Sequence, residues 1–206
     1  MHLRNWLMAL VLVGLTALPH DAAAQKTSPD EAATFLNGLA QEAFAVLGST
    51  TGNLDQRETK VRVLLRQYFD LPLIGRFVMG RAWRKASAEQ KSEYQRIFAE
   101  YVLRTYSRRL GGYAGEKFTV VKAEPIGKKD AIVITEISRP SGPPLVAGWR
   151  IRTSDKGMRI LDVMVQGISM AATQRSEFAA LISRQGVDGL IETLRMQVTK
   201  FAARSS

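Results

Sequence analysis

Ser169 is the residue whose sequence surroundings come closest to a catalytic motif. It lies in the stretch Gly-Ile-Ser-Met-Ala, residues 167–171, after an apolar run and before a helical pattern. This stretch is one glycine short of the G-x-S-x-G turn, in which a serine between strand and helix acts as a nucleophile. If Ser169 were such a nucleophile, the protein would be a hydrolase, and the chain would have to supply a base for the hydroxyl.

The chain that remains after removal of the N-terminal segment lacks the residues that would activate such a serine. There is no cysteine, and the two histidines, His2 and His20, lie in an N-terminal segment that we expect to be removed. A Ser-His-Asp triad, a Cys-His pair, a His-ligated zinc site and an iron–sulfur cluster are therefore excluded from the mature chain. No S-x-x-K pattern is present either. We predict that Ser169 is a turn or capping hydroxyl, and that the protein has no catalytic residue, metal or cofactor.

The N-terminal segment has the layout of a secretory signal peptide. A basic residue, Arg4, precedes an apolar run from Trp6 to Leu18, and three alanines follow before Gln25. The run is shorter than the roughly 18 to 20 residues that span a bilayer. The sequence thus predicts a signal peptide over residues 1–24 and a single exported domain over residues 25–206.

The charge of the chain favours anionic partners. Lys and Arg number 29 against 19 Asp and Glu, which gives a formal net charge of +10. Such a field attracts nucleic acid, phospholipid headgroups or acidic protein surfaces, and export makes nucleic acid the least suitable of the three. The basic residues are also scattered, a distribution typical of an ordinary solvated surface. The carboxylates Glu124, Glu136 and Asp162 lie in or beside predicted strands, and Asp162 interrupts an apolar segment. For each we expect a salt bridge to a neighbour such as Arg150 or Arg159 rather than catalysis.

Helical periodicity marks both ends of the chain. Ser28, Pro29 and Glu31 fit the start of a first helix as a capping box, and Gly48 ends it. Ser87 and Gln90 form a second capping box before the clearest helix, which Gly111 closes. The remaining helices are expected over about residues 56–68, between Asp70 and Gly80, over residues 171–182, and from Val187 to about Phe201 after a break at Arg184-Gln185-Gly186.

The segment between these helical regions has the composition of strands. Four runs rich in β-branched residues, over 117–124, 131–139, 145–153 and 158–165, are separated by short turns. Turns this short favour antiparallel neighbours. We therefore predict an α+β fold, in which an antiparallel β-meander of four to five strands packs against N-terminal and C-terminal helices and encloses an apolar cavity.

Three quoted stretches carry a family resemblance. They are VMVQGISMAATQRSEFAALI, FDLPLIGRFVMGRAWRKASAEQKSEYQRIFAEYVLRTYSRRL and ISRPSGPPLVAGWRIR. Together they closely resemble the MlaC family of periplasmic phospholipid-binding proteins, also called toluene-tolerance proteins, over about Ser28 to Met196. The resemblance implies a monomeric carrier that shuttles phospholipid between an outer-membrane lipoprotein complex and an inner-membrane ABC transporter with an MCE ring. It also implies an apolar pocket between sheet and helices, with the headgroup at the surface.

Amphipathic faces suggest which side chains would line that pocket. The predicted lipid-binding residues are Leu73, Ile74, Phe77, Val78, Tyr101, Tyr106, Trp149, Ile151, Val163 and Val165. Gly167 and Ser169 are expected to shape the exit from the last strand. Residues 174–177 are expected to start or cap the following helix. For Arg175 we favour a structural salt bridge or cap, and contact with a lipid headgroup or with a partner stays open.

Three alternatives stay open at this stage. The cargo could be a hopanoid instead of a phospholipid, which would require a broad slot for its rigid rings. The protein could be an exported enzyme that uses carboxylates and tyrosine, which would place paired carboxylates inside the cavity. It could also be a ligand-free envelope adaptor, which would have a filled core.

Overall fold

A computed structural model describes residues 26–48, 54–110, 116–138 and 142–202. The predicted signal peptide over residues 1–24 and Gly111, the predicted helix end, lie outside these ranges. Within them, no helix combines the length and the apolar character that crossing a bilayer requires.

The described residues form six helices and five strands. In chain order these are α1 (Pro29–Leu47), α2 (Leu54–Tyr68), α3 (Leu71–Met79), α4 (Ala82–Lys85), α5 (Ala88–Leu110), β1 (Lys117–Ile126), β2 (Asp130–Ser138), β3 (Leu145–Ser154), β4 (Gly157–Val165), β5 (Ile168–Ser169) and α6 (Met170–Ala202).

The strands form one sheet in the order β1-β2-β3-β4-β5, and each strand is antiparallel to the next. The short turns dictate this order, because a strand can return beside its neighbour through a few residues only when the two are antiparallel. The predicted α+β fold with an antiparallel meander is confirmed. The fifth strand is only the residue pair Ile168–Ser169, which leads directly into α6.

One face of the sheet packs on α1. Side chains two residues apart on a strand share a face, so Ala131, Val133 and Thr135 of β2 all point toward the helices and are fully buried. The apolar cluster on this face, called the sheet cluster below, has as its buried members Ala32, Leu36, Tyr68, Ala131, Val133, Ile151 and Ile160.

The helices pack on one another through two further clusters. The middle cluster joins α1, α2, the start of α3, and α5, and its buried members are Leu47, Val61, Leu65, Leu71 and Leu103. The helix cluster joins α3, α5 and α6, and its buried members are Val78, Met79, Ala86, Tyr94, Ile97, Phe98, Ala171, Phe178, Leu190, Ile191 and Leu194. The C-terminal helix thus completes a helical layer beside the sheet.

Most of the predicted helix boundaries hold. Asp70 caps α3 by accepting a hydrogen bond from the Leu73 amide at 3.0 Å. Ser87 and Gln90 form the predicted capping box, with both reciprocal side-chain bonds at 3.1 Å. The capping box predicted at Ser28 is wrong, because Ser28 precedes α1 without any side-chain capping bond. Instead, the chain before α1 is held by Thr27, which donates to the Lys129 carbonyl at 2.7 Å.

The break predicted near Gly186 is present inside α6. Gly186 has φ +73° and ψ −176°, outside the helical range, so the two halves of α6 change direction there. A left-handed φ carries little penalty only for glycine. The break lets residues from both halves, such as Phe178 and Leu194, enter the helix cluster.

Replacing Gly75 by alanine is expected to destabilise the protein by about 1–3 kcal/mol through overpacking. A Cβ at this position of α3 would lie 2.8 Å from the Phe98 ring and 3.0 Å from the Gln95 side chain. The Tyr94 hydroxyl also donates to the Gly75 carbonyl at 2.9 Å, which holds α3 close to α5. Urea unfolding would measure the loss. Gly38→Ala in α1 is the control, since its Cβ would meet nothing within 4 Å, and alanine should there stabilise the helix slightly.

Candidate functional site

Ser169 caps a helix in the structure. Its Oγ accepts a hydrogen bond from the Ala172 amide at 2.9 Å and donates to Asp162 Oδ2. The other oxygen of Asp162 accepts from the Ala171 amide at 3.0 Å. Two of the amides at the start of α6 that lack helical partners are therefore satisfied, and the prediction that Ser169 is a capping hydroxyl is confirmed. The expected salt bridge from Asp162 to Arg150 or Arg159 is wrong, because its carboxylate completes this cap.

The turn that delivers Ser169 is also as expected. Gln166 and Gly167 have φ values of +50° and +80°, so the turn between β4 and β5 needs two successive left-handed residues. Such turns match the twist of a hairpin, and they favour glycine. Residues 174–177 lie inside α6 and do not start it. The prediction that they start or cap the helix is wrong, because Ser169 and Asp162 already do so.

Substituting Ser169 by alanine should lower the free energy of unfolding by about 1 kcal/mol, the usual value of an N-cap side chain. Any lipid retained by the protein should be unchanged. Thermal unfolding together with lipid extraction would check both. If the substitution removed a hydrolytic activity from the wild-type protein instead, the capping role would be insufficient.

The predicted lipid-binding residues fall into separate groups. Ile151, Trp149 and Val163 belong to the sheet cluster or pack against it, and Val165 extends the same face of β4. Tyr106 packs on the middle cluster. Val78 lies within the helix cluster, with Ile74 and Tyr101 packed against it. Leu73 and Phe77 of α3 are exposed, at 36% and 44% of their surface. The structure therefore brings only the strand residues together on one surface.

The strand residues lie on the sheet face that packs on α1. Trp149 sits between Val133 and Val163 in the register of the three central strands. The indole Nε1 donates to Thr135 Oγ1 at 2.9 Å, so the polar atom of the ring is satisfied and its apolar surface is fixed in place. Thr135 is fully buried and contributes the polar group beneath an otherwise apolar surface.

Burial is uneven across this face of the sheet. Ala131, Ala147, Ile151 and Ile160 are buried. Beside them, several large apolar side chains are only half-buried although they point toward the helices. We call this group the open patch; it consists of Phe118, Trp149, Val163 and Val165. Half-buried large apolar side chains of this kind can still gain apolar contact with a ligand.

Sequence reasoning missed the aromatic residues at the edge of the open patch. Phe118 of β1 lies 6.3 Å from the Trp149 ring and 6.4 Å from the Phe44 ring of α1, measured between centroids. The alternation of Phe118 and Val120 was the signal that could have placed both on the covered face. A bulge between Val120 and Lys122 interrupts this alternation, so the sequence of β1 does not show a regular apolar period.

Tyr68 secures the helix that covers the sheet cluster. Its hydroxyl donates to a Glu42 carboxylate oxygen of α1 at 2.7 Å, and its ring lies 5.4 Å from that of Phe35. Burial and then the hydrogen bond to Glu42 raise the pKa of Tyr68 to about 12. The phenol therefore stays protonated at neutral pH and holds α2 to α1 as a hydrogen-bond donor.

A pocket of about 220 Å³ lies elsewhere, between α5 and the two halves of α6. Of the predicted residues only Tyr101 lines it, and its other walls include polar side chains such as Gln174, Glu177 and Arg184. Sites for drug-sized ligands occupy about 300–1,000 Å³ and are mostly apolar. This pocket is therefore too small to hold a two-chain lipid.

Arg175, for which a salt bridge or cap was expected, instead stacks on an aromatic ring. Its guanidinium carbon lies 4.9 Å from the centroid of the Phe77 ring. The prediction of a salt bridge or cap is wrong, because Arg175 forms neither with any residue that the structure describes. The side chain crosses the junction between α3 and α4 beside Gly80.

Comparison with known proteins gives consistent matches. The family model described as MlaC protein matches residues 37–196. An intermembrane phospholipid transport system binding protein, MlaC, from Haemophilus influenzae is 22% identical over 206 residues, which is 96% of this chain and 95% of that protein. A solved structure of a phospholipid-binding protein from Ralstonia solanacearum, in complex with a phospholipid, superposes with a TM-score of 0.72. It is 23% identical, and the match covers 82% of this chain and 97% of the other.

Proposed function

This chain belongs to the MlaC protein family, and from that premise we propose that it is a non-catalytic phospholipid carrier. It would work in the periplasm as the soluble component of an ABC-type lipid transport system. The observation that carries the proposal is the open patch, where Phe118, Trp149 and Val163 stay half-buried on the face of the sheet that packs on the helices. The names of the two relatives, each of which refers to phospholipid binding or transport, support the same cargo.

Acyl chains suit the chemistry of this patch. Its side chains are largely apolar, and the one N–H among them, the indole N–H of Trp149, donates to the buried Thr135 hydroxyl. Burying each CH₂ of an acyl chain contributes about 0.8 kcal/mol, so two chains of ordinary length would be held firmly out of water. We propose that the acyl chains lie against the open patch with Ile151 beneath them. The roles predicted for Tyr106, Tyr101, Ile74, Val78, Leu73 and Phe77 stay predictions.

Tight retention implies that release depends on a partner. A lipid held by many CH₂ contacts leaves slowly unless another apolar site accepts it or the pocket opens. We propose that an inner-membrane ABC transporter with an MCE ring and an outer-membrane lipoprotein complex serve as these partners. The headgroup would remain at the surface, which is compatible with weak headgroup selectivity.

A transfer assay tests the carrier role. The mature protein would be loaded with a fluorescent phosphatidylethanolamine and mixed with vesicles that contain, or lack, the purified inner-membrane transporter complex. We expect the label to move intact and much faster to the vesicles that carry the complex. Failure of the protein to acquire the label, or recovery of the label as a free fatty acid, would contradict a non-catalytic carrier.

A further inference from the structure

The surface formed by α3 and α4 is rich in basic residues. The segment Leu71–Ala88 contains four Lys and Arg residues and no Asp or Glu, and all four basic side chains are exposed. Arg175 of α6 adds a fifth cation at the junction of the two helices. We call this group the cationic surface; its members are Arg76, Arg81, Arg84, Lys85 and Arg175.

Geometry brings these cations together. Gly80 joins α3 to α4 with φ +62°, and a Cβ built on it would lie 3.1 Å from Arg175 Nε. The guanidinium of Arg175 therefore lies directly over this junction. Arg76 precedes the junction by one helical turn, and Arg81 follows it at once, so three of the five cationic residues lie at this junction or within one turn of it.

Acidic side chains do not neutralise these charges. In the part of the chain that the structure describes, none of the five cations forms an ion pair. The acidic residues that flank the segment, Asp70 and Glu89, accept hydrogen bonds from the Leu73 amide and the Ser87 hydroxyl. No direct ion pair therefore neutralises these five charges among the described residues.

Two apolar side chains lie within the cationic surface. Leu73 and Phe77 are exposed at 36% and 44%, and their spacing from Arg76 places all three on one face of α3. Basic side chains around exposed Phe and Leu are the combination by which helices bind in the plane of a membrane interface.

We propose that the cationic surface docks the protein on an anionic phospholipid bilayer. A charged bilayer attracts basic residues without requiring a complementary shape, and each Lys or Arg near it strengthens binding about fivefold. A stable protein interface instead buries about 800 Å² per partner around an apolar centre. Two partly exposed apolar side chains supply too little of such a centre, so the observations favour a lipid surface over an acidic protein.

Vesicle co-sedimentation tests this inference. The lipid-loaded protein would be mixed at low salt with phosphatidylcholine vesicles, with or without phosphatidylglycerol. The test variant is Arg81→Glu/Arg84→Glu/Lys85→Glu. The control variant, Lys128→Glu/Lys129→Glu/Lys156→Glu, changes the net charge equally at exposed turns of the sheet. Lipid extraction from each variant reports separately on the proposed carrier function.

We expect the wild type to bind only the vesicles with phosphatidylglycerol. The test variant should bind them on the order of a hundredfold more weakly, with its own lipid content unchanged, and the control variant should lose much less. Equal losses in the two variants would assign binding to the net charge of the whole protein and overturn the proposal. A wild-type protein that does not bind vesicles with phosphatidylglycerol would also overturn the proposal. This holds even if the same surface binds the purified inner-membrane transporter complex.

Discussion

Replacing Val163 by arginine is expected to reduce the phospholipid retained by the purified protein about tenfold or more. Val163 is half-buried in the open patch, directly across from Trp149 on the neighbouring strand. A guanidinium there would have to be desolvated beside the acyl chains or would fill their space, at a cost of several kcal/mol. Each 1.4 kcal/mol lowers affinity about tenfold. Lipid extraction with phosphate analysis, normalised to protein, measures the result.

Val146→Arg is the matched control for this substitution. Val146 is the same residue type in the same sheet, but it points to the opposite face and is 37% exposed. We expect this variant to keep its lipid. Circular dichroism of both variants would establish that they fold. Equal lipid loss from the two, or full retention by a folded Val163→Arg protein, would show that the open patch does not hold the cargo.

Replacing Asp130 by asparagine should destabilise the fold by about 2–4 kcal/mol. The Asp130 side chain is 2% exposed and receives Arg150 Nε and Arg152 Nε at 2.5 Å each. Removing one partner from a buried ion pair typically costs about 3–5 kcal/mol, because the remaining charge is left uncompensated. The value expected here is lower since the Arg150 side chain is 44% exposed and water screens its charge. Urea unfolding at neutral pH gives the number.

The same group makes stability depend on pH. Burial alone would raise the pKa of Asp130, but the hydrogen bonds from Arg152 and Arg150 outweigh it, so the pKa lies below its ordinary value. Between the folded and unfolded values the unfolded chain binds more protons, so stability rises with pH there. The stability that Asp130 contributes is fully present above the pKa of an unfolded carboxyl, about 4. It is lost as the pH falls through the lower pKa that Asp130 has in the folded protein. Asp130→Asn should flatten this part of the profile.

An exposed ion pair in the same sheet provides the comparison. Glu124 and Lys122 approach to 2.6 Å, but their side chains are 44% and 61% exposed. Glu124→Gln should cost less than about 1 kcal/mol, as surface pairs usually do. If the two substitutions had equal effects, the burial of Asp130 would not be what makes its ion pair important.

The fold was predictable because local signals and tertiary packing agree. Short turns between β-branched runs force an antiparallel meander, and Gly80 and Gly186 mark helix ends where a left-handed φ is needed. The capping box at Ser87 was readable because both of its residues are local in sequence. At Ser28 the same pattern failed, since Thr27 anchors the chain to the distant Lys129 carbonyl, and a single sequence does not reveal such a contact.

The candidate site was only partly predictable. Alternation along β3 and β4 identified Trp149 and Val163, which do share a face. The amphipathic patterns of α3 and α5 do not indicate whether the apolar face of each helix packs on the sheet or on another helix. As a result Val78 and Ile74, predicted beside the strand residues, lie with the helix cluster. The partner of Arg150 was missed for a similar reason, because Asp130 becomes its neighbour only through the register of β2 with β3.

Native mass spectrometry of the mature protein, purified from a periplasm without detergent, tests the central proposal most directly. We expect a complex whose added mass corresponds to one phospholipid at near one-to-one stoichiometry, and organic extraction should release intact phospholipid. Detection of the protein at its own mass alone would contradict the carrier function. A hopanoid in place of phospholipid would contradict the proposed cargo.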